Sequence, residues 1–141
     1  MSRIVEDLKR HEGVILHGYL DHLNYMTIGV GRCVEESVGI GLTMEEAEYL
    51  LANDIARVRE ELTKTFEWFE DLNEPRQEAM INLNFNLGLT KLRGFKMALA
   101  AMAENDFDEA ANQFMDSRWS GQVGQRAVEV TEQIRTGEYA D

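Results

Sequence analysis

Glu12, Asp21 and Thr27 are the residues of this chain whose types and spacing could do chemistry together. The two carboxylates stand nine positions apart, and the hydroxyl lies six positions beyond the second. Two carboxylates around a cleft are what glycosidic-bond hydrolysis requires. One acid protonates the leaving oxygen, and the other carboxylate, helped by a hydroxyl, holds a water on the far face of the sugar. Spacing alone leaves a plainer reading open, because the chain holds 26 acids in 141 residues. On that reading Glu12 is a solvated helix end, Asp21 a turn former and Thr27 an ordinary strand threonine.

The elements that must position these residues follow from pattern. Ile4, Val5 and Leu8 repeat at helical spacing, so residues 3–12 read as a short amphipathic helix. Gly13 stands where a helix C-terminus ends, which puts Glu12 at the negative end of the helix dipole. That end disfavours the ionised carboxyl and suits a proton donor. Residues 14–34 mix aromatic and β-branched residues with Gly18, Gly29 and Gly31, and Asp21-His22-Leu23-Asn24 reads as a turn. A small antiparallel sheet is expected there, bringing Glu12, Asp21 and Thr27 to one edge.

Thr43-Met44-Glu45-Glu46 is a capping box, and Ala47, Leu50, Leu51, Ile55, Val58 and Leu62 continue at helical spacing to about residue 64. Asn73-Glu74-Pro75 opens a further helix with proline in its tolerated first turn. Met80, Ile81, Leu83, Phe85 and Leu87 leave that helix little polar face, so it is expected to be buried and to end at Gly88. Helices are expected at about 95–104, from Asp106 to about Asp116, and around Ala127 to Ile134. Residues 121–124 read as a loop, and the tail from Thr136 is expected to fray.

Across these landmarks the chain resembles the phage-type (T4-like) lysozymes. The carriers begin with Glu12-Gly13, Tyr19, Asp21, Thr27-Ile28-Gly29-Val30-Gly31, Thr43 and Glu46-Ala47-Glu48. They continue through Arg76, Ala79, Ile81-Asn82, Phe85, Gly88 and Gly94-Phe95. The last are Asp108-Glu109-Ala110-Ala111, Ser117-Arg118-Trp119, Arg126 and Arg135-Thr136-Gly137. The resemblance implies an α+β lysozyme-like fold, a small β-hairpin lobe plus a mostly helical lobe flanking a saccharide cleft. It implies one domain over residues 1–141, with a small lobe at about 13–43, a connecting helix at about 44–64, and a helical lobe at about 65–141 that includes the N-terminal helix.

The implied activity is hydrolysis of the β-1,4 bond between N-acetylmuramic acid and N-acetylglucosamine in bacterial peptidoglycan, with inversion. On matching positions Glu12 is the general acid, Asp21 positions or activates the water, and Thr27 helps hold it. Arg126 matches an arginine that reaches the catalytic glutamate; its plainer reading is a solvated helix arginine. Asn82 and Asn86, one helical turn apart, are candidates to hydrogen-bond sugar amides, and buried asparagines can equally satisfy neighbouring backbone. Phe85 and Gln113 are weaker substrate contacts. Trp119 is expected in the core. Two departures stand out: only eleven residues separate Gly31 from Thr43, where longer members carry about a helix more, and Arg32 replaces a histidine.

Composition narrows the partners. A net charge of −12 argues against nucleic acid and against an electrostatic membrane anchor. It also departs from the cationic pattern that draws many lysozymes to anionic walls. Acids interrupt the N-terminus before an apolar signal region can form, and Met97 to Ala103 is too short to span a bilayer. The expected setting is therefore the host cytoplasm, as a monomer, with release by a separate holin implied by the resemblance. Cys33 is the single cysteine, so no intrachain disulfide forms. His11, His17 and His22 lack a metal-ligand spacing, Gly29-Val30-Gly31 lacks a phosphate-cradling pattern, and neither metal nor cofactor is expected. The rival functions are a non-catalytic peptidoglycan-binding or virion structural module, and a lytic transglycosylase, which needs only the acid.

Overall fold

The computed structural model describes residues 3–12, 15–20, 26–29, 32–33 and 43–139, with backbone alone for 11–12, 15–20, 26–29, 32–33 and Arg118. The chain divides into two compact units, Met1–Arg57 and Val58–Asp141.

In the first unit, α1 (Arg3–Glu12) buries Ile4, Val5 and Leu8. Three antiparallel strands follow: β1 (Ile15–Leu20), β2 (Met26–Gly29) and β3 (Arg32–Cys33), in the order β1-β2-β3. Tyr19 faces Thr27 and Leu20 faces Met26 across β1 and β2, after a register shift between Ile15 and Tyr19. Across β2 and β3, Thr27 faces Cys33. Helix α2 (Met44–Thr65) starts at the expected capping box. The Thr43 amide donates to Glu46 Oε1 and the Glu46 amide to Thr43 Oγ1, both at 3.1 Å. Its first half buries Ala47, Leu51 and Ile55. The Lys9 ammonium donates to Glu48 Oε1 at 2.7 Å and ties α1 to α2. That hydrogen bond holds the Lys9 pKa above the ordinary lysine value, against a smaller effect of burial.

The expected α+β class with a β-hairpin lobe is corrected by this arrangement. Eight α-helices carry the structure among the described residues, one of them 22 residues long. The strands hold only six, four and two residues and fall in one compact unit with α1 and the start of α2. The fold is helical. Strands this short make too few ladder hydrogen bonds to stand as a lobe of their own. The β-branched and glycine-rich run was a local signal, and helical periodicity occupies most of the remaining length.

The second unit is built around α3 (Glu74–Leu87), which buries an unbroken run from Glu78 to Asn84. Asn73 caps it by accepting from the Arg76 amide, and Gly88 ends it at φ 80°. A 3-10 turn at Phe69–Asp71 precedes it, and Gln77 Nε2 donates to the carbonyls of Phe69, Glu70 and Leu72. Helices α4 (Leu89–Arg93), α5 (Lys96–Ala103), α6 (Phe107–Met115), α7 (Arg118–Val123) and α8 (Gln125–Thr136) complete the unit. α8 packs on α3, α6 and α7, and α5 packs on α6.

Two further expectations change here. The loop assigned to 121–124 is helical through Val123, because Ser117 caps α7 from outside and Gly124 supplies the positive φ of 56° only after it. Residues 136–139, expected to fray, are hydrogen-bonded to α3 and its cap, while 140–141 lie outside the described residues. Arg76 donates to the last carbonyls of α8, Nε to Ile134 at 2.6 Å and Nη2 to Arg135 at 3.0 Å. Asn73 Nδ2 donates to the Gly137 carbonyl, and the Tyr139 hydroxyl donates to Glu78 Oε2 at 2.7 Å. The Arg76 guanidinium also lies 3.7 Å over the Phe107 ring. Burial pulls its pKa below the ordinary arginine value, and Asp108 partly restores it.

Candidate active site

Glu12 is the last residue of α1, at the helix C-terminus that its sequence position led us to expect. The helix behind it is fixed by three buried aliphatics and by its own charges. Asp7, itself buried, accepts from Arg3 Nε at 3.4 Å and Arg10 Nη2 at 3.2 Å. Thr27 sits on β2, paired in register with Tyr19 on one side and Cys33 on the other. Asp21 lies outside the described residues, as do the side chains of Glu12 and Thr27. The expected convergence of the three, and the expected Glu12–Arg126 pair, therefore remain expectations. The side chains of His11, His17 and His22 also lie outside the described residues. Among the described residues no group of three His, Cys, Asp or Glu could hold a metal ion. A cavity of about 460 Å³ opens beside the first turns of α2, with Glu45, Glu46, Tyr49 and Leu50 in its lining. Its size is within the range of small-ligand sites.

The second group of candidates lies in the helical unit and is fully described. Arg126 is the second residue of α8 and is buried. Its Nε and Nη2 both donate to Asn82 Oδ1, at 3.0 and 2.8 Å, and Nη2 also reaches the Asn82 backbone carbonyl at 3.4 Å. Asn82 is only 2% exposed. Its side-chain oxygen is thus committed to the protein. A charged donor in the interior demands such an acceptor, since an unsatisfied guanidinium there is expensive.

One turn further along α3, Asn86 Oδ1 accepts from the Trp119 indole Nε1. Trp119 is buried, as the family resemblance implied, and Asn86 satisfies its one polar atom. Gln113 is half-buried and donates to Glu109 Oε1 at 2.7 Å on its own helix. Phe85 is half-buried. The structure brings Asn82 together with Arg126, and Asn86 together with Trp119. Sequence reasoning missed both pairings, although asparagines in the apolar second half of α3 are a signal for buried polar locks.

Comparison with known proteins adds an independent line. The family model for phage lysozyme matches residues 9–135. The pre-baseplate central spike protein Gp5 of Enterobacteria phage T4 is 30% identical, over 95% of this chain and 28% of its own length. The chain therefore spans under a third of that relative. Probable T4-type lysozyme 1 of Dictyostelium discoideum is 29% identical over 97% of this chain and 96% of its own length. An endolysin of Acyrthosiphon pisum secondary endosymbiont phage 1 is 30% identical over 80% of this chain and 74% of its own.

Proposed function

This chain belongs to the phage lysozyme family, and on that premise we propose that it is a muramidase-type glycoside hydrolase acting on bacterial peptidoglycan. The observation that carries the reading is the family match across residues 9–135, which spans Glu12, Asp21, Thr27 and Arg126. The position of Glu12 at the end of α1 supports its role, because the adjoining helix dipole favours the protonated form.

In the proposed reaction Glu12 protonates the glycosidic oxygen as the bond between N-acetylmuramic acid and N-acetylglucosamine breaks. Asp21, with Thr27, presents water from the opposite face, and the anomeric centre inverts. Arg126 supports the site, and Asn82, Phe85, Asn86 and Gln113 are its candidate substrate contacts. Asn82 and Asn86 reach substrate only through amide groups whose oxygens already serve Arg126 and Trp119. The whole of 1–141 acts as a single lysozyme-like domain, monomeric, with access to the wall through a separate holin. Among the described residues no helix is long and apolar enough to cross a membrane.

A second reading has its own observation. The match to a spike protein of which this chain covers 28% favours a lysozyme-like module of a virion structure. Digestion of purified peptidoglycan by the protein, read by mass spectrometry, separates the readings. Reducing muramic acid ends support hydrolysis, anhydro ends indicate a transglycosylase, and no released fragment indicates a structural module.

A further inference from the structure

Residues 79–103 contain no acid, in a chain with 26 acids and 14 Lys or Arg. They do contain Lys91, Arg93 and Lys96, all exposed, with Met97 beside them 69% exposed. Among the described residues none of the three cations forms an ion pair, unlike Lys9, Arg57, Lys64 and Arg135. The backbone that carries them is anchored by its neighbours. Leu92 is fully buried, and the Phe95 ring packs 5.3 Å from that of Phe114. Gly94 makes the tight turn between α4 and α5, its amide donating to the Lys91 carbonyl at 3.0 Å. Leu92 and Phe95 thus pin the chain inward, and the cations between and beside them are left outward.

We propose that the Lys91–Arg93–Lys96 turn is the docking surface by which this protein engages the carboxylates of peptidoglycan stem peptides. The inference rests on the reading of peptidoglycan as substrate and adds where the polymer is held. A −12 protein is repelled by an anionic wall at long range. Salt shortens that repulsion to a Debye length of about 10 Å at 0.1 M, so charge within that radius decides contact. Glu104, the next acid along α5, lies eight residues beyond Lys96, about 12 Å of helix rise. The turn is therefore a place where this acidic chain meets an anionic polymer with local attraction. Three cations with a single large apolar side chain suit dispersed carboxylates better than a bilayer, which rewards a broad buried apolar face. An anchored backbone limits the entropy lost on binding.

Sedimentation of the full chain with purified sacculi at 0.1 M salt tests this. The K91Q/R93Q/K96Q variant is expected to retain less than about a third of wild-type binding, and its melting temperature is expected to hold, since all three side chains are exposed. A R57Q/K64Q control, which removes positive charge elsewhere, is expected to bind as wild type. Turnover of short soluble muropeptides is expected to be equal in variant and wild type. Undiminished sacculus binding by the triple variant overturns the proposal, as does an equal loss in the control. Binding of the wild type to anionic phosphatidylglycerol vesicles rather than to sacculi also overturns it, in favour of a membrane. If the wild type releases no muropeptide yet binds sacculi through this turn, the docking surface stands and the hydrolase reading fails.

Discussion

Arg126 on α8 holds the side-chain carbonyl of Asn82 on α3 with two nitrogens, at 3.0 and 2.8 Å, and both residues are buried. The pair spans 44 positions of sequence and locks the last long helix to the central one. Asn82→Leu removes this side-chain acceptor from a buried guanidinium. A loss of about 1–3 kcal/mol is expected in denaturant unfolding. If stability is unchanged while KM rises, Asn82 serves the sugar and not the helix pair.

Glu12→Gln keeps the shape of the side chain and removes its transferable proton. Activity on cell walls should fall by about 10²–10⁴, the usual worth of a general acid. Circular dichroism should show the fold retained. Lysis by the folded variant at near wild-type rate would remove Glu12 from the mechanism.

Asp21→Asn should lose most activity, and the wild-type product should emerge as the α-anomer, because water attacks opposite the β-linked leaving group. Early appearance of the β-anomer by NMR would point to a retaining mechanism and a nucleophilic carboxylate.

The Lys9–Glu48 pair predicts an alkaline stability limit. The Glu48 hydrogen bond raises the folded Lys9 pKa above its unfolded value. Its contribution is therefore fully present below about pH 10.4 and is lost as pH rises through the folded value. Both side chains are partly exposed, 18% and 30%, so solvent screening keeps the contribution below about 1 kcal/mol. Lys9→Met should be less stable than wild type at pH 8, with the gap closing toward pH 12. A constant gap across that range would mean that the lost stem packing, and not the ion pair, carries the effect.

Gly137 has φ 71°, and a Cβ placed there would come within 2.8 Å of the Arg76 guanidinium and 2.9 Å of Asn73 Nδ2. Gly137→Ala should cost about 1 kcal/mol for the backbone conformation alone. Displacement of Arg76 from the end of α8 adds to this. A fall of several degrees in melting temperature is expected, and an unchanged melting temperature would show that the tail contributes nothing to the fold.

The sequence by itself determined the helix boundaries that local chemistry controls. Thr43 with Glu46, Asn73 with Pro75, Gly88 and Asp106 each act within four residues of themselves, and each does in the structure what its type requires. Family membership was legible for a similar reason, since it rests on residue types in order along the chain. The tertiary structure decided whatever depends on partners distant in sequence. The β-rich pattern of 14–34 suggested a lobe, yet the strands are too short to form one. Gly121 and Gly124 suggested a loop, yet only Gly124 adopts the positive φ that ends a helix. Thr136 to Tyr139 looked like a loose end until Asn73 and Glu78, some 60 positions earlier, took hold of it. Asn82 and Asn86 carried the same ambiguity: an amide on an apolar helix can serve a ligand or the interior. Packing brought a buried guanidinium and an indole against their oxygens, contacts between residues 44 and 33 positions apart that no local pattern announces.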